Sequence, residues 1–238
     1  MTKLHEIDAD IVFESGWLSV VPEELHSRIN DACTARTIRK GTILWHFGDN
    51  ADGLYLVVSG CIRVETSDVE RGSSMLTILH RGSWIGEIEL LSGTRRITTM
   101  SALRDCSLLF LPRSDLMELS RQYPEIWRGL GYLASEHCCL AITAVYDLMA
   151  RSSPARVAAI LLRMCGARLP AFPGITITDL DVTQTELGQL CNLSRSVVST
   201  VLDDFEKRGL IETRYGRVRV IDLDSLAEEA GVNIGRHP

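Results

Sequence analysis

The chain has 238 residues, 45% of them hydrophobic and 24% charged, and carries a formal net charge of −6. That is the composition of one large or two modest globular domains with material for a real core, and it excludes a uniformly basic nucleic-acid binder. No run approaches the roughly 18 apolar residues of a membrane span, and the opening MTKLHEIDADIVFE is too acidic for a secretory signal, so the expected setting is cytoplasmic with no membrane partner.

Taken in order, residues 1–38 give weak helical signals around Trp17–Val20 and Glu23–Ala32, with Pro22 well placed near a helix start. From Lys40 to Pro112 the texture changes to short apolar or alternating runs: Thr42–Phe47, Leu54–Val58, Cys61–Glu65, Met75–Leu79 and Cys106–Leu111, punctuated by glycines. Many short strands with regular turns predict a β-barrel, roll or sandwich. Ser114–Arg121 reads as a helix capped by Ser114, and Pro124 opens a long one. In that long helix Leu130, Ala134, Cys138, Ala141, Val145 and Leu148 make a stripe that Ile126, Leu133, Leu140 and Ala144 widen, so the helix must be covered on more than one side. Ser152–Ser153–Pro154 interrupts the pattern and marks a domain boundary. A further helix, Ala155–Cys165, leads through a loop with Pro170, Pro173 and Gly174 to the most informative stretch.

That stretch, Thr183–Arg219, predicts a helix, a tight turn, a second helix and a basic hairpin. Thr183 and Glu186 have the T-x-x-E spacing of a capping box, Asn192 suits a left-handed turn residue, and Ser194 suits the cap of the second helix. In the second helix Val198, Val201, Leu202 and Phe205 form one face, while Ser196, Ser199, Thr200 and Asp203 form another. The first face packs and the second is presented, which is the outline of a winged helix-turn-helix. Residues 1–150 hold 14 Lys+Arg against 20 Asp+Glu, whereas residues 151–238 hold 11 of each. Arg195, Lys207, Arg208, Arg214, Arg217 and Arg219 lie within the motif, so a local DNA-facing patch does not require a basic protein.

The run GTILWHFGDNADGLYLVVSGCIRVE, followed by RGSWIGEIELLSGTRR, resembles the β-roll of cyclic-nucleotide-binding domains. With the C-terminal motif, residues 20–222 resemble the CRP/FNR family of bacterial transcription regulators. The resemblance implies an α+β fold: residues 1–122 as a double-stranded β-helix (jelly-roll-like) effector domain, residues 123–151 as a dimerisation helix, and residues 152–238 as a winged helix-turn-helix domain. It implies a homodimer on double-stranded DNA, with RNA polymerase as a further partner.

The resemblance also assigns an effector pocket to Gly86, Glu87, Arg96, Ile97 and Thr98. Glu87 and Arg96 match the ribose-binding Glu and phosphate-binding Arg of the family, but Ile97 replaces the usual small residue and Glu89 adds a second carboxylate. The two adenine-contacting hydroxyl residues of cyclic-AMP-responsive members correspond to Ala141 and Ile142, which cannot make those hydrogen bonds. A structural ion pair is the favoured reading of Glu87 and Arg96; the effector is unknown, and a cyclic nucleotide is disfavoured. The seven cysteines lack C-x-x-C spacing, Cys33 is alone in the first sixty residues, and free buried thiols are expected rather than an iron–sulfur cluster. His137–Cys138–Cys139 cannot chelate one ion alone, because consecutive helical residues diverge, and no metal site is expected.

By position Arg195 matches the family arginine that reads guanine, Ser196 stands where several members carry Glu, and Thr200 where some carry Arg. The expected base-reading set is Arg195, Ser196, Ser199 and Thr200, with Gln184, Arg214, Arg217 and Arg219 on phosphates. No nucleophile–base set or phosphate loop argues for an enzyme. The competing expectation is a ligand-sensing module that acts through protein contacts, for which Asp203, Asp204 and Glu206 near the basic residues speak.

Overall fold

The computed structural model describes residues 16–68, 72–150, 152–168 and 176–234. The expectations for the N-terminal segment MTKLHEIDADIVFE and for the loop carrying Pro170, Pro173 and Gly174 lie outside those residues. By its contacts the chain divides into two compact units, residues 1–136 and 137–238.

In the first unit a short 3-10 turn, Gly16–Val20, and helix α1, Glu24–Ala32, precede the strands. One antiparallel sheet has the order β1-β8-β3-β6, with β1 Thr34–Ile38, β3 Gly53–Ser59, β6 Trp84–Ile85 and β8 Cys106–Pro112. The other has the order β2-β7-β4-β5, with β2 Ile43–Trp45, β4 Ile62–Asp68, β5 Gly72–Leu79 and β7 Thr99–Ala102. Helix α2, Glu87–Ser92, interrupts the strands, and α3, Arg113–Gln122, follows them.

Strand periodicity explains why β3 and β8 read as nearly continuous apolar runs. Successive side chains of a strand point to opposite faces, so a strand covered on both sides needs apolar residues at every position. Leu54 and Leu56 of β3, with Leu109 and Leu111 of β8, join Trp17, Leu25, Ile29, Leu116 and Ile126 in the core under the helices. Tyr55, Val57, Leu108 and Phe110, from the alternate positions, meet Trp45, Ile62 and Ala102 of the facing sheet in a second core. The strand β1 pairs with β8 as an edge, and its residues are mostly exposed.

The long helix α4 runs from Glu125 to Leu148. Its first turns enter the helical core through Ile126, Leu130 and Leu133, and at Gly129 an added Cβ would lie 2.7 Å from the Trp17 ring. Toward its C-terminus the stripe residues Ala141, Val145 and Leu148 are exposed in the single chain, as are Ile142, Tyr146 and Met149.

One expected cap is corrected. Strand β8 runs through Pro112 directly into α3, whose N-cap is Pro112 with no side-chain hydrogen bond. Ser114 therefore sits inside the first turn, where its Oγ donates to Asp115, and the Arg113 amide is satisfied instead by the Asp52 carbonyl at 2.8 Å.

The second unit holds α5 Ser153–Met164, β9 Asp179–Leu180, α6 Gln184–Cys191, α7 Arg195–Lys207, β10 Ile211–Arg214, β11 Arg217–Val220 and α8 Leu223–Ala230, the last outside the expected elements. Pro154 stands in the first turn of α5, which Ser152 caps. The last turn of α4 is tied within this unit by Asp147, 2% exposed, which accepts from Arg168 at 2.6 Å and Arg163 at 3.5 Å. The thiols of Cys165 and Cys191 are buried, and that burial pushes both pKa values up to about 12. They are protonated and inert at neutral pH.

Candidate nucleic-acid interface and anion cradle

The helix pair α6 and α7 is built by local chemistry. The Thr183 amide donates to Glu186 at 2.7 Å and the Glu186 amide to Thr183 Oγ1 at 3.2 Å, closing both halves of the capping box. Asn192 ends α6 in the left-handed region at φ 51°, ψ 49°. The chain then turns so tightly that a Cβ on Gly188 would lie 2.8 Å from the Leu193 carbonyl oxygen. Ser194 caps α7 by accepting from the Val197 amide at 3.3 Å.

On α7 the two expected faces separate. Val198, Val201, Leu202 and Phe205 are buried, whereas Arg195, Ser196 and Thr200 are exposed and Ser199 half-buried. Arg195, on the first turn, has no ion pair among the described residues. The Thr200 hydroxyl donates to the Ser196 carbonyl at 3.1 Å, so it offers a methyl group and acceptor lone pairs outward rather than a free proton.

The hairpin of β10 and β11 is closed by a two-residue turn, Tyr215–Gly216, between the paired Arg214 and Arg217, with Gly216 at φ 70°. Val218 and Val220 point into the unit, and alternation puts Arg217 and Arg219 on the exposed face beside Arg214. Gln184 opens α6, half-exposed. Tyr215, at the tip of the hairpin, is 106% exposed. Sequence reading passed over it, although an aromatic flanked as Arg-Tyr-Gly-Arg in a turn is a legible signal.

Arg208 is exposed but engaged by two carboxylates. It donates to Asp204 at 3.0 Å and Glu229 at 2.8 Å, holding α7 to α8. Thirteen residue steps separate it from Arg195, about 20 Å along the axis.

Around Arg96 in the roll the geometry is the opposite. Its side chain is 0% exposed, and its guanidinium lies 3.9 Å from the Trp45 ring. Nη1 donates to Glu89 Oε2 at 3.0 Å and to the Gly86 carbonyl at 3.4 Å. Nη2 donates to Asp52 Oδ1 at 2.8 Å and to the Gly53 carbonyl at 3.1 Å. Gly86 is required by its φ of 105° and by close packing, because a Cβ there would lie 2.7 Å from the Gly53 carbonyl oxygen and 2.9 Å from Arg96 Nη1. Glu87 is buried, Ile97 is 48% exposed and Thr98 is half-buried. Asp52, 44 residues from Arg96 in sequence, was not among the expected site residues; no local pattern announces it.

Comparison with known proteins agrees with both units. The cyclic nucleotide-binding domain family matches residues 35–123, and the Crp-like helix-turn-helix domain family matches residues 155–229. The chain is 25% identical to a CRP-like cAMP-activated global transcriptional regulator of Mycobacterium tuberculosis, covering 80% of this chain and 85% of that one. It is 29% identical to the cyclic AMP receptor protein of Thermus thermophilus over 82% of this chain and 87% of the relative. Among solved structures, FixK2 from Bradyrhizobium japonicum superposes with a TM-score of 0.69 at 19% identity, covering 82% of this chain and 96% of that one. A CRP/FNR regulator from Thermus thermophilus superposes with a TM-score of 0.60 at 25% identity, covering 85% of this chain and all of the other.

Proposed function

The chain belongs to the CRP/FNR family of transcription regulators, and from that premise we propose that it acts as a homodimer reading a near-palindromic operator in double-stranded DNA. The observation that carries this reading is the polarity of α7: one face is fully engaged in the core, and the other offers Arg195, Ser196, Ser199 and Thr200. A helix presented this way enters the major groove, where Arg195 pairs with guanine O6 and N7. Gln184, Arg214, Arg217 and Arg219 bind phosphates and fix the register without reading sequence.

The twin is supplied by α4. An exposed apolar row on one helix, with Ile142 63%, Val145 63% and Met149 73% exposed, is the kind of surface that a second copy covers in a symmetric dimer. In this reading residues 1–122 form the effector domain, 123–151 the dimerisation helix and 152–238 the DNA-binding domain. The protein works in the cytoplasm with RNA polymerase as a further partner. The effector is unknown, and cyclic AMP is disfavoured, because Ala141 and Ile142 bring no hydroxyls to an adenine.

Titration of duplex binding with salt tests the DNA reading: a steep linear fall of log affinity against log salt is the expected result. A flat response would favour action through protein contacts instead. The acidic residues that spoke for that second reading are largely engaged within the fold. Asp204 accepts from Arg208, and Glu206 accepts from the Thr213 amide and hydroxyl at 2.8 and 2.9 Å. Sequencing the duplexes selected by the purified protein tests the near-palindrome, and sedimentation tests the dimer.

A further inference from the structure

Helix α2 buries two carboxylates beside Leu90. It leaves Ile88 40% and Leu91 41% exposed while burying Glu89 to 4%. Burying a carboxylate is unfavourable unless strong donors meet it, and two do. One oxygen of Glu89 accepts from Arg96 Nη1 at 3.0 Å, and the other accepts from the Ile97 amide at 3.2 Å. A guanidinium and a backbone amide converging on two oxygens of one anion form an oxyanion cradle. Here the anion is part of the chain.

We propose that Glu89 is a tethered anion that fills the cradle of Arg96 and the Ile97 amide, so that this roll excludes cyclic nucleotides and other phosphate esters. Removing that carboxylate turns the cradle into a phosphate site. The inference rests on reading the roll as a cyclic-nucleotide-binding fold; it is independent of DNA recognition by α7.

Donor arithmetic supports exclusion. A guanidinium has five N–H donors. Both protons on Nη1 are taken by Glu89 and the Gly86 carbonyl, and both on Nη2 by Asp52 and the Gly53 carbonyl. The remaining Nε is buried without a hydrogen-bond partner. A phosphate ester entering from solution must displace a carboxylate that is already tethered in place, whose effective concentration is on the order of millimolar or higher. The displaced Glu89 and the neighbouring Asp52, both of which meet Arg96, would then face a second anion across the same guanidinium.

Isothermal titration of the full chain with cyclic AMP, cyclic GMP and inorganic phosphate tests this, using the wild type, Glu89→Ala and Glu89→Gln at fixed ionic strength. The wild type is expected to show no saturable binding up to about 1 mM of any probe. Glu89→Ala is expected to bind at least one of them about 100-fold more tightly than that limit, the gain expected when a tethered competitor is removed. Glu89→Gln, which keeps an oxygen for the Ile97 amide but loses the charge, should fall between. Binding of inorganic phosphate alone assigns the cradle to any oxyanion, and binding of a cyclic nucleotide alone shows that the rest of the pocket adds to it; both support the proposal. Saturable wild-type binding below that limit would overturn it, and that arm needs no variant to fold. So would absence of binding in a Glu89→Ala or Glu89→Gln protein whose circular dichroism and cooperative unfolding match the wild type.

Discussion

Arg195 and Arg96 are the same residue in opposite circumstances. Arg195 stands exposed on the first turn of α7 with no ion pair among the described residues, while Arg96 is fully buried and donates to two carboxylates and two carbonyls. An exposed guanidinium is hydrated by water and can exchange that water for a guanine edge. A buried one is tolerated where the fold supplies counter-charges and acceptors, as it does here for both terminal nitrogens. The difference assigns the roles: the α7 surface is left open for something outside the chain, and the cradle is completed from within it.

The sharpest way to break this contrast is to remove each arginine in turn. Arg96→Ala leaves Glu89 buried without its cation, and by analogy with other broken buried pairs it should cost about 3–5 kcal/mol in urea-induced unfolding. Arg195→Ala should leave that transition within about 0.5 kcal/mol of the wild type, since the side chain touches nothing the fold needs. Its effect belongs to DNA: a loss of about 1–3 kcal/mol on the selected duplex, with relaxed preference at one base pair. Equal losses on selected and random duplexes would remove Arg195 from base reading, and an unchanged unfolding midpoint for Arg96→Ala would remove the cradle from the core.

The two regions also differ in how far the sequence discloses them. The α6–turn–α7 unit is legible almost residue by residue, because its determinants are three or four positions apart: Thr183 with Glu186, Asn192 at the turn, Ser194 with Val197, and the stripe from Val198 to Phe205. The β3 and β8 runs of the roll are legible for a similar reason, since strands covered on both faces must be apolar throughout. Strand β1, TARTI, is exposed along most of its length and carries no such pattern, and β6 and β9 are two residues each. The cradle is hardest to read, because the direction of the Glu89 side chain and the return of Asp52 to Arg96 are settled by the packing of strands distant in sequence. Position in a motif marked Arg96 and Glu87 as a structural ion pair; only the folded surroundings show Glu89 and Asp52 on that guanidinium.

Because the helix pair is so locally determined, a local change should weaken it by a local amount. Thr183→Ala removes the side-chain acceptor for the Glu186 amide while leaving the backbone amide that donates to Glu186, and is expected to cost about 1 kcal/mol in unfolding. DNA affinity should follow only as far as the folded fraction falls. A much larger loss of affinity at unchanged stability would mean that Thr183 itself touches the duplex.

The smallest expected effect separates phosphate binding from base reading. Arg217 meets Asp179 at 3.5 Å with both side chains more than half exposed, a pair worth about 0–1 kcal/mol, so it is released to a phosphate at little cost. Arg217→Ala should therefore weaken selected and scrambled duplexes alike, and should lower the slope of log affinity against log salt by about one. Arg195→Ala changes which sequence is preferred, whereas Arg217→Ala changes how strongly any sequence is held. Should Arg217→Ala instead alter the preferred base at the edge of the site, the hairpin with Tyr215 at its tip would be reading the groove beside it, and the recognition surface would extend beyond α7.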